Sequence, residues 1–172
     1  MAELVIRKGL SKDIDDIAML EQVCFPTPWS RDAVAYEINE NKMATYIVAE
    51  LAGKVVGYIG FWAVIDHCQI NNIAVSPLYR RQHIAQILIQ TAIDSVKAAG
   101  VLSFTLEVRK SNEAAISLYK KCNFIENGVR KGYYEDNGED AIIMWRDDNP
   151  KENNQKEDNP KDETPKEEGN EA

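Results

Sequence analysis

Residues 69–90, QINNIAVSPLYRRQHIAQILIQ, begin as a β-strand, break at Ser76-Pro77, cross a basic turn without glycine, and resume as a helix. That helix carries Ile84, Ile87, Leu88, Ala92 and Val96 on one face. A strand that feeds a helix N-terminus leaves several backbone N–H groups unpaired and converging on one small volume. With the positive end of the helix dipole they form a phosphate site. Arg80 and Arg81 add fixed positive charge at its lip. The stretch therefore reads as the grip on the pyrophosphate of a nucleotide-bearing cofactor, with the other elements arranged around it.

Outward from this turn the chain alternates strands and helices. A short strand is expected over 3–8, then a helix over 11–24 capped by Ser11, with Ile14, Ile17, Ala18, Leu20 and Val23 as its buried stripe. Phe25-Pro26-Thr27-Pro28-Trp29 cannot continue a helix, because two prolines remove donors and fix φ; a second helix starts at Ser30 and runs to about Asn39. Strands over 44–50 and 54–64 join through Ala52-Gly53, a tight turn. After the quoted stretch the helix runs to Ala99 and stops at Gly100. A strand over 101–108 puts Leu102, Phe104, Leu106 and Val108 on one face and Ser103, Thr105 and Glu107 on the other. A helix over 112–122 ends at Asn123, a residue that tolerates a left-handed turn. Strands over 125–133 and 140–145 close through Asp136-Asn137-Gly138. The pattern implies a mixed α/β sandwich around one sheet.

A chain of 172 residues suits one domain with a sizeable core. No apolar run reaches the roughly 20 residues that span a bilayer, and MAELVIRKGL lacks an export signal, so no membrane partner and a cytoplasmic location are expected. Three scattered cysteines suit a reducing compartment, and His67-Cys68 has no second pair at ligand spacing, so no metal is expected. Acidity is concentrated in one place. Of the net charge of −8, residues 147–172 hold ten acidic residues against four lysines. The remainder gives no reason to expect direct nucleic-acid binding. The division expected is a folded domain over 1–146 and a disordered acidic tail over 147–172.

Arg80-Arg81-Gln82-His83-Ile84-Ala85 resembles the acyl-CoA pyrophosphate loop of the GNAT acetyltransferases, Q/R-x-x-G-x-G/A, with His83 in place of the usual glycine. With IAVSPLYRRQ, LEVRKSNEAAISLYKKCNF and GYYEDNGEDAIIMW in order, the chain is similar to the RimI type, the bacterial ribosomal-protein-alanine N-acetyltransferases. The resemblance implies a GNAT-type mixed, mostly antiparallel sheet flanked by helices, with a splayed central strand pair. It implies acetyl-CoA as co-substrate, held by Ile73, Ala74 and Val75 along the pantetheine and by Arg80, Arg81, Gln82, His83, Ile84, Ala85 and Gln86 at the pyrophosphate. Asn112 and Tyr119 resemble further cofactor contacts. The expected acceptor is a protein N-terminus, the alanine of the eighteenth small-subunit ribosomal protein, met by a monomer or weak dimer.

Acetyl transfer from a thioester needs a neutral amine, donors for the oxyanion and a proton for the thiolate. By resemblance Glu107 is the base and Tyr119 the acid, with the Val75 amide as donor to the thioester oxygen. Patterning alone also allows Glu107 as a solvated charge paired with Arg109 or Lys110, Tyr119 as a packing anchor and Asn112 as a plain N-cap. Phe25 and Pro26, and Tyr133 and Tyr134, resemble substrate-groove residues, against a reading as hydrophobic plug and sheet-packing aromatics. Cys122 as an acyl-accepting nucleophile lacks a histidine partner in the sequence. His83 is tolerable if its backbone stays right-handed helical; weaker acetyl-CoA binding, improved by His83→Gly, is expected. A lysine side chain or small amine as acceptor, or a non-catalytic acyl-CoA-binding module, are the other readings.

Overall fold

The computed structural model describes residues 3–149. In chain order the elements are β1 (Leu4–Lys8), α1 (Ile14–Cys24), α2 (Arg31–Asn39), β2 (Ala44–Leu51), β3 (Lys54–Val64), β4 (His67–Val75), α3 (Ile84–Lys97), β5 (Ser103–Arg109), α4 (Glu113–Lys121), β6 (Ile125–Tyr134) and β7 (Glu139–Asp147). The strands form one sheet in the order β1-β2-β3-β4-β5-β7-β6. Every neighbouring pair is antiparallel except β4 and β5. Strand periodicity divides the core between the two faces of the sheet. Ile47, Ile59, Phe61, Phe104 and Leu106 pack with Ile84, Leu88, Ala92 and Ile93 of α3 on one face. Tyr46, Val48 and Tyr58 pack with Ile14, Ile17 and Leu20 of α1 and Val34 of α2 on the other. Leu88 is wholly buried, so Leu88→Ala would cost about 2–5 kcal/mol.

β4 and β5 pair over only three rungs, His67–Ser103, Cys68–Phe104 and Gln69–Thr105, and then part. The cause lies in β4. Gly60 pairs with Asn72 but Phe61 with Ile70, so Asn71 is an extra residue, a bulge that bends the strand. The bulge also reverses which face each side chain takes. Cys68 and Ile70 before it sit in the α3-side core, whereas Asn72 reaches Glu21 of α1 and Ala74 packs in the α1-side core.

The ladder phase settles where the backbone groups of β4 point. Ser76 donates to the Val56 carbonyl at 2.8 Å, making that pair hydrogen-bonded, and pairs alternate along an antiparallel ladder. Opposite Gly57 and Ile59, Val75 and Ile73 therefore turn their N–H and C=O groups away from β3, into the gap that β5 leaves. Ala74, between them, turns both groups to Tyr58.

Several expectations change in detail. Ser11 lies in a 3₁₀ turn and bonds Asn39; the helix entry is held instead by Asp13, whose carboxylate accepts from the Leu10 amide at 2.8 Å and pairs with Arg7. Val23 is 59% exposed and Glu21 takes the buried place on α1. Ile87 faces solvent, while Ile89 and Ile93 complete the α3 stripe. His83 is the N-cap of α3 with φ +61°, left-handed and not right-handed helical. β7 extends to Asp147, and Asp148 pairs with Arg146 and Lys97, so the fold runs past the expected boundary at 146. The rest of the acidic segment, from residue 150, lies outside the described residues. Among the described residues no helix is long and apolar enough to cross a membrane.

Candidate active site

The turn into α3 alternates backbone hands, with Arg81 at φ +62° and His83 at φ +61°. A left-handed His83 is strained, because its Cβ meets a carbonyl that glycine would not. The turn nevertheless frees the first amides of α3, since the first helical bond is Ile87 to the His83 carbonyl. These amides line a cavity of about 470 Å³ with Val75, Arg80, Arg81, His83, Ala85 and Gln86 on one wall and Ser117, Leu118 and Lys121 of α4 on the other. Spare N–H donors, an exposed arginine and a lysine fit a diphosphate. Lys121 went unnoticed in the sequence, where nothing marks it apart from other surface lysines. Gln82, Ile73, Ala74, Asn112 and Tyr119 are not in the cavity wall. Arg80 turns its Nε to the Val75 carbonyl at 3.2 Å, tying the turn to the end of β4.

Glu107 stands beyond the last rung of the β4–β5 pair, on the face away from Phe104, Leu106 and Val108. Gln69 Nε2 donates to its Oε2 at 2.7 Å, and Arg130 of β6 approaches its Oε1 at 3.3 Å. The expected partner Arg109 is engaged elsewhere, with Asp136 at 2.9 Å, Glu139 at 3.3 Å and the face of the Tyr134 ring at 3.8 Å. Tyr119 is buried beside Phe124, ring centroids 6.0 Å apart, and burial raises its phenol further above the ordinary range. It therefore keeps its proton at any physiological pH. Tyr134 is the electrostatic neighbour common to both: it raises the Tyr119 phenol, and its own is pushed up to about 12, by burial first and by Glu107 among the lesser causes.

Asn112 caps α4, accepting from the Ala115 amide at 3.2 Å. On the acceptor side, Phe25 is half-buried against the α1-side core and Pro26 is exposed. Tyr133 is exposed and meets Tyr134 edge to face at 5.1 Å. The loop that carries Phe25 and Pro26 is pinned by Glu21, which accepts from the Trp29 amide at 2.8 Å, from Asn72 Nδ2 at 2.9 Å and from the Tyr58 hydroxyl. Sequence reading missed Glu21, though a charged residue four after Ile17 and seven after Ile14 is a visible irregularity in an apolar stripe. Cys122 is buried with its thiol pushed up by burial, the opposite of an activated nucleophile.

The family model of the acetyltransferase (GNAT) family matches residues 14–124. A Bacillus subtilis (strain 168) protein, provisionally named a ribosomal protein bS18-alanine N-acetyltransferase, is 43% identical over 140 residues, 81% of this chain and 93% of that one. The ribosomal protein bS18-alanine N-acetyltransferase of Escherichia coli (strain K12) is 38% identical over 129 residues, covering 73% of this chain and 84% of its own. The crystal structure of the ribosomal-protein-S18-alanine N-acetyltransferase from Escherichia coli superposes with a TM-score of 0.78 at 32% identity, over 85% of this chain and 94% of that one.

Proposed function

The chain belongs to the GNAT acetyltransferase family and is an N-acetyltransferase, and from that premise we propose that it moves the acetyl group of acetyl-CoA to the N-terminal alanine of a ribosomal protein of the bS18 kind. One observation carries the reading: the gap that opens past Gln69–Thr105 exposes the backbone of Ile73 and Val75 on one side and Glu107 on the other, and leads to the amide-lined cavity at α3. The first amides of α3, with Arg81 and Lys121, hold the diphosphate. Binding that remote group places the thioester in the gap and removes part of the entropic barrier.

The Val75 N–H stabilises the oxyanion as it forms. Glu107 removes the proton from the incoming ammonium, directly or through a water, so that the neutral amine attacks. Tyr119 supplies a proton to the departing sulfur; its raised phenol keeps it in the donor form. Phe25, Pro26, Tyr133 and Tyr134 border the groove for the peptide. The left-handed His83 makes the cavity less favourable than glycine would, which weakens acetyl-CoA binding without closing it.

Labelled acetyl-CoA with a peptide beginning in alanine tests this. Transfer to the α-amine is expected, lost in Glu107→Gln and Tyr119→Phe. Binding without turnover would refute the enzymatic reading, and labelling of lysine with the N-terminus left free would refute the acceptor.

A further inference from the structure

Three polar side chains behind Glu107 form a chain that the reaction above does not use. Gln69 and Thr105 are the last rung before β4 and β5 part, and Glu107 is the next residue on the same face of β5. Gln69 Nε2 donates to Glu107 Oε2 at 2.7 Å, Thr105 Oγ1 donates to Gln69 Oε1 at 2.5 Å, and His67 Nε2 lies 2.8 Å from Thr105 Oγ1. The polarity of this chain has one solution. Were the Gln69 amide reversed, its carbonyl would face a carboxylate, acceptor against acceptor. With Nε2 toward Glu107, Oε1 can only accept, so the Thr105 hydroxyl must donate to it. The Thr105 oxygen is then left to accept, so His67 must carry its hydrogen on Nε2. Ser103 Oγ, 3.3 Å from His67 Nδ1, and the Trp145 ring, 6.2 Å away, border the imidazole.

We propose that Gln69 is the positioning residue for the base: its amide, oriented by Thr105 and His67, occupies Glu107 Oε2 and leaves Oε1, on the Arg130 side, to meet the incoming amine. This rests on the reading of Glu107 as base. The other groups facing Glu107 are Arg130, more than half exposed and at 3.3 Å, and Tyr134. Of the polar contacts to Glu107, the hydrogen bond from Gln69 is shorter and more sheltered than the ion pair with Arg130.

Steady-state kinetics, with peptide and acetyl-CoA varied separately, test the proposal. Gln69→Leu is expected to lower kcat about tenfold, the weight of one hydrogen bond to a charged group. It should leave the KM for acetyl-CoA within about twofold, so that the loss falls on kcat. Thr105→Val, which keeps the shape and removes the hydroxyl, lowers kcat by less, and Thr105→Ser restores it. A wild-type kcat in both Gln69→Leu and Thr105→Val, with Glu107→Gln inactive, overturns the role of the amide alone. Full turnover by Glu107→Gln overturns the base assignment and the proposal with it.

Discussion

Glu21 and Glu107 flank β4 on the same face of the sheet, and their surroundings differ in the number of fixed donors. Glu21 is 2% exposed and accepts from three groups on three elements: a loop amide, a phenol of β3 and an amide of β4. Glu107 has one short bond, from Gln69, and its second oxygen faces an arginine at 3.3 Å that is itself more than half exposed. A carboxylate whose lone pairs are all taken by neutral, immobile donors is an anchor; moving it would orphan every donor. A carboxylate held at one oxygen and open at the other can exchange a proton without disturbing its support. The comparison separates stability from turnover. Both residues are glutamates on amphipathic elements, and their partners distinguish them.

The contrast breaks most sharply at Glu107. Glu107→Gln is expected to reduce kcat by about 10²–10⁴-fold with the melting temperature within a few degrees of wild type, read by turnover and thermal unfolding in parallel. Glu21→Leu should do the reverse. Leaving the Trp29 amide and the Asn72 amide without their acceptor costs about 3 kcal/mol, a fall of roughly 10 °C for a domain of this size. The KM for peptide should rise as the 25–29 loop loosens, while acetyl-CoA binding holds.

Alkali probes the same anchor. Burial first, then the charge of Glu21, raises the Tyr58 phenol above its ordinary value of 10.0. A raised phenol contributes stability that is complete below about pH 10 and is lost as pH rises towards its folded value, because the unfolded chain releases that proton first. Unfolding followed from pH 9 to 12 should show this loss, smaller in Tyr58→Phe; an unchanged slope there would remove Tyr58 from the anchor. The smallest effect belongs to the cavity. His83→Gly relieves a left-handed imidazole residue and is expected to tighten acetyl-CoA a few fold by calorimetry, without lowering the melting temperature. Equal or weaker binding would sink the steric account.

Much of this was legible in the chain. The Ala52-Gly53 and Asp136-Asn137-Gly138 signals do mark hairpins, Asn123 does take φ +65°, and β3 has its expected bounds, because these features are decided by one or two residues at a time. The helix does not enter at Ser11 because its hydroxyl bonds Asn39 and residues 11–13 form a 3₁₀ turn, closed by Asp13 accepting from the Leu10 amide and pairing with Arg7. Val23 fits the apolar spacing of the α1 stripe yet is exposed, while the turn of α1 that faces Tyr58 and Asn72 calls for an acceptor and takes Glu21. The left-handed His83 had a signal in the glycine usual at that place in the resembling loop, because glycine and, less readily, histidine take positive φ.

The order of strands and helices, the apolar stripes, the basic turn and the four blocks that mark the family belong to the sequence by itself, because each is a local pattern with a fixed period or spacing. Only the tertiary structure decided that β4 and β5 part after Gln69–Thr105, that Val75 turns its amide into the gap, and that Gln69, Thr105 and His67 line up behind Glu107. Those depend on the bulge at Asn71 and on contacts between residues more than thirty positions apart, where one extra residue in a ladder changes every face that follows.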